Sequence, residues 1–475
     1  MTKSLIHRGI IMSLMVLILL GITGCSAQSR GKTYGDSLFT TRDFDTEYNL
    51  QAAVIIDFKE DKPIITIPEG RDGCVKSENI PGGENIVIRE EGTYIIEGET
   101  TCGSITVDAQ KESKVQLVLR GVEMVCPEGS CINVKNADKV FITLEDDTEN
   151  ILRDSKAQLV IKDKSFANAT ESDAIAKEDN SSEKRKVDSV IFAEDDIVFQ
   201  GNGKLVIEAS SRDAIMCEND IKITGGTFNI KAKHTAVTAN DSIRLAGGKL
   251  TIESGADALH VDEGYFYTRE TDIDIWCVDD AIHSVTELTI ADGNINIEAC
   301  REGLEGHTVE VYGGKLDINS VDDSINAYGK GDIRPFIRIY GGELSLVSEG
   351  DCLDSNGIAY IEDGDVYMFS SANDDDGAVD TIDGFTILGG NIIAVESSGI
   401  TDADIAKSGI RKLNVTMDET CSADAPFQVK DSSGETIYIV TPEGDYKSIF
   451  VCSSKIEEGE YTISAGKVKK TVESH

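Results

Sequence analysis

From about residue 200 to residue 395, short runs of alternating apolar and polar residues return at nearly constant intervals. One set follows a glycine: Leu205-Val-Ile207, Leu250-Thr-Ile252 and Leu316-Asp-Ile318. A second set follows a polar turn: Ala214-Ile-Met216, Ala258-Leu-His260 and Ala281-Ile-His283. A third set closes on Gly-Gly or Asp-Gly: Ile221-Lys-Ile223, Ile243-Arg-Leu245, Leu288-Thr-Ile290 and Val309-Glu-Val311. A period of two is a strand signal, with Ile, Leu and Val on one side and polar residues on the other. Each unit therefore predicts three short strands joined by three turns.

The turn glycines set the period. Gly203, Gly226, Gly248, Gly293, Gly314, Gly342, Gly364 and Gly390 lie 23, 22, 45, 21, 28, 22 and 26 residues apart. The interval of 45 holds two units, with Thr271 standing where a glycine would be. Three strands in about 22 residues predict one coil of a parallel β-helix, an all-β fold. A propeller blade needs about 40 residues and four strands, and a leucine-rich repeat would show its Leu and Asn ladder. Looser strands lie upstream, at Val115–Leu119, Ile132–Val134, Val140–Leu144, Val190–Phe192 and Ile197–Phe199, interrupted by a polar insertion over Arg153–Lys186. Residues 51–400 are thus expected to be the β-helix, with Gln51–Ile96 as an N-terminal β cap. Residues 401–475 are expected to form a C-terminal β cap, which an open-ended solenoid needs against edge pairing.

The chain's start predicts export. Lys3, His7 and Arg8 precede an apolar stretch, Ile10–Ile22, that is short for a membrane span. It ends in Ile22-Thr-Gly-Cys25, the pattern of a bacterial lipobox. Residues 1–24 then read as a lipoprotein signal peptide, Cys25 as the lipidated residue, and 25–50 as the lipidated start and tether. The expected location is the outer face of a cell membrane, held by acyl chains. Ten further cysteines follow. Spacing leaves Cys126 with Cys131, Cys74 with Cys102, and Cys421 with Cys452 open as disulfides, whereas Cys217, Cys277, Cys300 and Cys352 lie in or beside strands and read as core residues.

Composition narrows the partners. The 475 residues carry 45 Lys and Arg against 85 Asp and Glu, a formal charge of −40. Such a chain lacks the cationic surface that binds nucleic acid through phosphates. An anionic ligand requires a divalent cation in between. No Walker loop, GxSxG elbow or dinucleotide fingerprint is present.

The acids are not scattered. Nine residues after each reference position stand Asp257, Asp280, Glu302, Asp323 and Asp351, and three residues further stand His260, His283, Glu305, Asn326 and Asp354. Asp279 and Asp322 double the acid in two coils, Asp213 falls one position out of step, and Asp374, Asp375 and Asp376 crowd the last turn. Stacked coils would bring these carboxylates within about 5 Å of one another. Like charges at that distance repel by about 1 kcal/mol per pair even in water. Calcium, which takes about 6–8 oxygens in irregular geometry, would resolve the repulsion. Asp257, Asp279, Asp280, Glu302, Glu305, Asp322, Asp323, Asp351 and Asp354 are therefore candidate metal ligands. His260 and His283 admit a transition metal at one end of the file. Arg301, beside Glu302, reads as a salt-bridge partner, a sugar-binding cation or a base. Tyr265, Phe266, Tyr267 and Trp276 are the one aromatic cluster available for sugar stacking.

These segments resemble a family of clostridial carbohydrate-binding β-helix lipoproteins. The likeness is carried by Phe39-Thr-Thr-Arg-Asp-Phe-Asp45, by Lys114-Val-Gln-Leu-Val-Leu-Arg-Gly-Val122, and by Val140-Phe-Ile-Thr-Leu144 with Thr148-Glu-Asn150. Gly225-Gly-Thr-Phe-Asn-Ile230, Lys233-His234, Asn240-Asp-Ser-Ile243 and Asp257-Ala-Leu259 extend it. The resemblance implies a right-handed parallel β-helix like that of pectate lyases, bound calcium at the acidic turns of Asp257, Asp280, Asp323 and Asp351, and binding of cellulose or acidic pectin-like glycans without cleavage. Ala236 departs from the acid-turn pattern, and the low aromatic content departs from usual cellulose-binding surfaces. The expectation is a monomeric, calcium-stabilised polysaccharide binder with His260, His283, Asn326, Arg301, Tyr265, Tyr267 and Trp276 on its ligand face. The alternatives are a calcium-dependent polysaccharide lyase and a structural adhesion protein of the envelope.

Overall fold

The computed structural model describes residues 35–59, 62–155, 159, 161, 189–329, 333–372, 377–398 and 407–475. The signal peptide, Cys25, most of the Arg153–Lys186 insertion and Asp374–Asp376 lie outside the described residues. Among those described, no helix is long and apolar enough to cross a membrane.

The chain winds as a parallel β-helix of three faces. On the first, Lys204–Ala209, Thr227–Ala232, Lys249–Ser254, Thr271–Cys277, Gly293–Cys300, Lys315–Ser320, Glu343–Ser348, Asp365–Ser370 and Asn391–Glu396 pair in parallel, each with the next coil. The register puts the same position of every coil in one file: Leu205, Phe228, Leu250, Ile273, Ile295, Leu316, Leu344, Val366 and Ile392 are successive partners. All nine are at most 2% exposed, so alternation along the strand has become a continuous apolar column along the axis. Burying each such side chain contributes about 1.5–3 kcal/mol.

The glycines sit where the chain turns onto this face. Gly293 has φ +125°, and a Cβ there would lie 2.5 Å from the Thr271 carbonyl oxygen of the neighbouring coil. Thr271 is paired with Gly293, as the spacing predicted, and its coil solves the turn differently. The left-handed conformation moves to Glu270, φ +53°, and the Thr271 hydroxyl accepts from the Gly247 amide at 3.2 Å.

The ends are covered. Two antiparallel hairpins, Val54–Lys59 with Lys62–Thr66 and Val75–Ile80 with Gly83–Ile88, lead into the first coils. At the other end Tyr446–Ser453 runs antiparallel to Asn391–Glu396 and occupies the edge it would otherwise expose. Phe427–Lys430, Thr436–Val440, Glu460–Ala465 and Val468–Glu473 form a separate four-stranded sheet.

Two sequence expectations need correction. Residues 35–49 do not hang free as a tether. They cross the third face, where Asp43 is fully buried and accepts from Lys222 at 2.8 Å. The Arg244 guanidinium donates to the Leu38 carbonyl at 3.1 Å, and Phe39 packs on Tyr267. The three open disulfides are not formed either. All ten cysteines beyond Cys25 are free thiols, nine of them buried. Cys421 and Cys452 belong to different hydrophobic clusters, and the Cys102 thiol donates instead to the Pro81 carbonyl at 3.2 Å.

Candidate functional site

The second face carries the acidic positions. Its strands Val237–Ala239, Leu259–Val261, Ile282–Ile290, Leu304–Val311, Ile325–Ala327, Leu353–Ser355 and Val379–Thr381 stack so that Thr238, His260, His283, Glu305, Asn326, Asp354 and Asp380 are successive partners. The inward neighbours, such as Leu259, Ile282 and Leu304, are fully buried. The alternation that buries them turns the polar file outward.

Three residues upstream in each coil runs the acid file. Backbone amides of Ala236, Ala258, Ala281, Gly303 and Ser324 donate to the carbonyls of Asp257, Asp280, Glu302, Asp323 and Asp351 in the next coil. The side chains lock the same joint. The Asp257 carboxylate accepts from the Asp280 amide at 3.0 Å, Asp323 from Asp351 at 2.9 Å, and Asp351 from Gly377 at 2.6 Å. Asp213 does this too, accepting from the Thr235 amide at 3.1 Å. Asp213 is therefore in register. Its coil has one more residue between Ala209 and the turn than the coil of Ala232, which displaced it in the linear count. Thr235, not Ala236, occupies the acid position of the next coil.

At the centre of the file the charge is compensated by Arg301. Its guanidinium donates to Asp279 at 2.5 Å, Asp280 at 3.0 Å and Glu302 at 3.0 Å, with Asp322 3.6 Å away. Burial opposes the charge on Arg301, but Asp280, Asp279 and Glu302 hold its proton more tightly than usual. Arg301 is thus a salt-bridge partner, and a poor base.

The two histidines are partnered by acids. His260 faces Asp257 at 2.6 Å and Asp262 at 3.2 Å, and its ring centroid is 4.5 Å from that of His283. Burial disfavours its charge, yet the hydrogen bonds to Asp257 and Asp262 raise it to about 10. The His283 Nδ1 lies 3.1 Å from Glu305 and 3.5 Å from Asp280. Tyr328 Oη is 3.2 Å from its Nε2. Asn326 Nδ2 donates to Glu302 at 3.0 Å.

Burial and neighbouring acids push several of these carboxyl groups up. Burial, the hydrogen bond with Asp280 and the charges of Asp280 and Glu302 raise Glu305 to about 10. Burial and the Asp280 charge raise Glu302 to about 7. Burial raises Asp323 to about 8, helped by the charges of Asp322, Asp354 and Asp351. Asp279 is raised by burial and by Asp280. Asp280 goes the other way: burial works against its charge, but hydrogen bonds from His283 and Glu305 hold it down.

Among the described residues, four groups bring donor atoms within 4.8 Å of one another: Asp257, His260 and His283; Asp280, His283 and Glu305; Asp257, Asp279 and Asp280; and Asp351, Asp354 and Asp380. The third and fourth offer oxygen alone, and the fourth grades from buried Asp351 to exposed Asp380. Asp380 was missed in the sequence because Val379-Asp-Thr381 follows a turn of different length. Its signal was the alternation it shares with Leu353-Asp-Ser355.

The predicted aromatic platform does not assemble. Tyr267 is fully buried beneath Phe39, so it offers no ring to a sugar. Tyr265 lies on the third face under Arg244, while Trp276 lies on the first, paired with Glu253. Another aromatic pair was overlooked. Tyr312 and Tyr340 stack at 4.3 Å and 12° beside a groove of about 670 Å³ that also takes in Asp272, Asn294 and Lys315. Each precedes a Gly-Gly turn, and that shared position was the available signal.

A solved structure described as the polysaccharide lyase-like protein from C. thermocellum, gadolinium derivative, covers 70% of this chain and 96% of its own at 22% identity, with a TM-score of 0.35. A carbohydrate-binding domain-containing protein of Acetivibrio thermocellus is 29% identical over 225 residues, or 47% of this chain. That match spans 65% of the relative's length. The family model for carbohydrate-binding domain-containing proteins matches residues 82–377 and, overlapping them, 279–410. With more than half of its length inside that match, the chain belongs to the carbohydrate-binding domain-containing protein family.

Proposed function

We propose that the protein is a calcium-stabilised, non-catalytic binder of plant-type polysaccharide, cellulose or acidic pectin-like glycans, anchored through Cys25 to the outer face of a cell membrane. One observation carries the reading. In a chain of the carbohydrate-binding family, Asp351 and Asp354 of one coil and Asp380 of the next converge within 4.8 Å and open toward solvent. The donor set fits calcium: it is all oxygen, it spans more than one coil, and a hard cation accepts such irregular ligation. Burial raises the neighbouring Asp323 to about 8 and the charges of Asp322, Asp354 and Asp351 add to it, so positive charge is favoured there. A bound Ca²⁺ would supply that charge, and its remaining positions would take uronate or hydroxyl oxygens. This is how a chain of charge −40 can hold an anionic glycan.

The lyase alternative assigns Arg301 or a Lys as base, and four neighbouring acids argue against Arg301 in that role. Retention on immobilised polygalacturonate and on cellulose, with calcium and with chelator, tests the proposal. We expect calcium-dependent retention on polygalacturonate with no unsaturated product. Ultraviolet-absorbing unsaturated product would turn the assignment to a lyase. Failure of any glycan to retain the protein would turn it to an adhesion protein.

A further inference from the structure

The middle of the outward file differs chemically from its end. Asp280, His283 and Glu305 present two carboxylates and one imidazole, all with donor atoms within 4.8 Å of one another. His283 Nδ1 is 3.1 Å from the Glu305 carboxylate and 3.5 Å from that of Asp280. In a tetrahedral site with bonds of about 2.0–2.1 Å, ligand atoms stand about 3.3–3.4 Å apart. The two separations from His283 bracket that edge length, and the third, between Asp280 and Glu305, lies within 4.8 Å. We infer that Asp280, His283 and Glu305 form a site for a zinc-class transition-metal ion, separate from the oxygen-only group at Asp351, Asp354 and Asp380.

Three further observations point the same way. With Nδ1 on a metal, the other ring nitrogen must carry a proton and needs an acceptor. Tyr328 Oη lies 3.2 Å from that nitrogen, the position of an outer partner that fixes tautomer and ring orientation. His260 packs against the same ring at 4.5 Å and is itself held by Asp257 and Asp262, which limits rotation of His283. Finally, Asn326 is 9% exposed and is the partner of Glu305 in the next coil. Its amide nitrogen is used by Glu302, while its Oδ1 is buried without a hydrogen-bond partner. That orphan oxygen belongs to the strand neighbour of Glu305 and supplies a neutral acceptor on the coil beside the triad, for the ion or for a water bound to it. Calcium suits this group poorly, because it prefers six to eight oxygens and one of three donors here is nitrogen. Three protein ligands leave one position of a tetrahedron open.

The test uses the chain from residue 26 onward, without a polyhistidine tag, stripped of metal and titrated with Co²⁺. Tetrahedral Co²⁺ gives intense visible absorption, unlike the weak bands of the hydrated ion. We expect one equivalent to produce that spectrum, with Zn²⁺ displacing it and a large excess of Ca²⁺ leaving it in place. His283→Gln and Glu305→Gln should each abolish it, while Asp354→Asn should keep it. Tyr328→Phe should weaken binding by about tenfold or more, the usual effect of losing an outer partner. If His283→Gln fails to fold, Glu305→Gln and Tyr328→Phe decide. A spectrum that never appears, that survives in a folded His283→Gln or Glu305→Gln variant, or that Ca²⁺ removes overturns the assignment. Because Asp354→Asn affects only the proposed calcium group, failure here leaves the glycan-binding proposal standing.

Discussion

Replacing Arg301 with Met tests how the acid file is held together. The guanidinium serves Asp279, Asp280 and Glu302 at 2.5–3.0 Å, and two of these carboxylates have side chains no more than 7% exposed. Removing one partner of a fully buried ion pair costs about 3–5 kcal/mol, because the other charge is left buried. The Arg301 side chain is 39% exposed, so water screens part of the loss. Acids left unpaired can also take up protons. We expect a loss of about 2 kcal/mol, equivalent in a chain of this length to a fall in melting temperature of about 2 °C. The assay is thermal unfolding in chelator and again in excess calcium, at neutral pH. Calcium should restore more stability in Arg301→Met than in the parent, since the variant has more uncompensated charge for a cation to neutralise. A variant that melts with the parent in chelator would refute the claim that the file is under electrostatic load.

Other expectations follow from the same geometry. Glu302 rises from 4.5 to about 7 and Asp323 from 3.8 to about 8 on folding, so both bind their protons more tightly when folded. Stability in chelator should therefore fall as pH rises from about 4 to about 8. His260, raised from 6.5 to about 10, has the same sign: its contribution is complete below the unfolded value and is lost as pH climbs through the folded one. Denaturant unfolding at about pH 5 and about pH 8 measures this, and greater stability at the higher pH would contradict it. Asp43→Ala leaves the buried Lys222 ammonium without its carboxylate and should cost about 3–5 kcal/mol. Limited proteolysis should then release the 35–49 segment sooner than from the parent, and unchanged cleavage would refute its docking. Thiol titration of the unfolded chain from residue 26 should find ten free cysteines, with only Cys102, the one not buried, reacting promptly in the folded state. A lower total would show disulfides.

Most of the solenoid was legible because its code is repetitive. Turn glycines and inward apolar residues recur once per coil, and the reference positions from Gly226 to Gly390 share one register, Thr271 included. The acid file was legible for the same reason. What it does locally was not, because each carboxylate finds partners in coils more than twenty residues away. Asp257, Asp323 and Asp351 cap backbone amides of the next coil, and Arg301 draws together acids from three coils. A constant count misread Asp213, since one inserted residue shifts the sequence without shifting the ladder. The docking of residues 35–49 was invisible because Asp43 meets Lys222 across 179 positions. The aromatic cluster failed because residues ten apart in sequence stand on different faces once the chain turns a corner at Glu270.

Calcium calorimetry on the chelated protein, comparing the parent with Asp354→Asn, decides whether the acid file holds calcium. The parent should bind saturably, and the folded variant should show a clear loss of affinity. No heat from the parent beyond dilution, or equal affinity in both proteins, would contradict the calcium assignment.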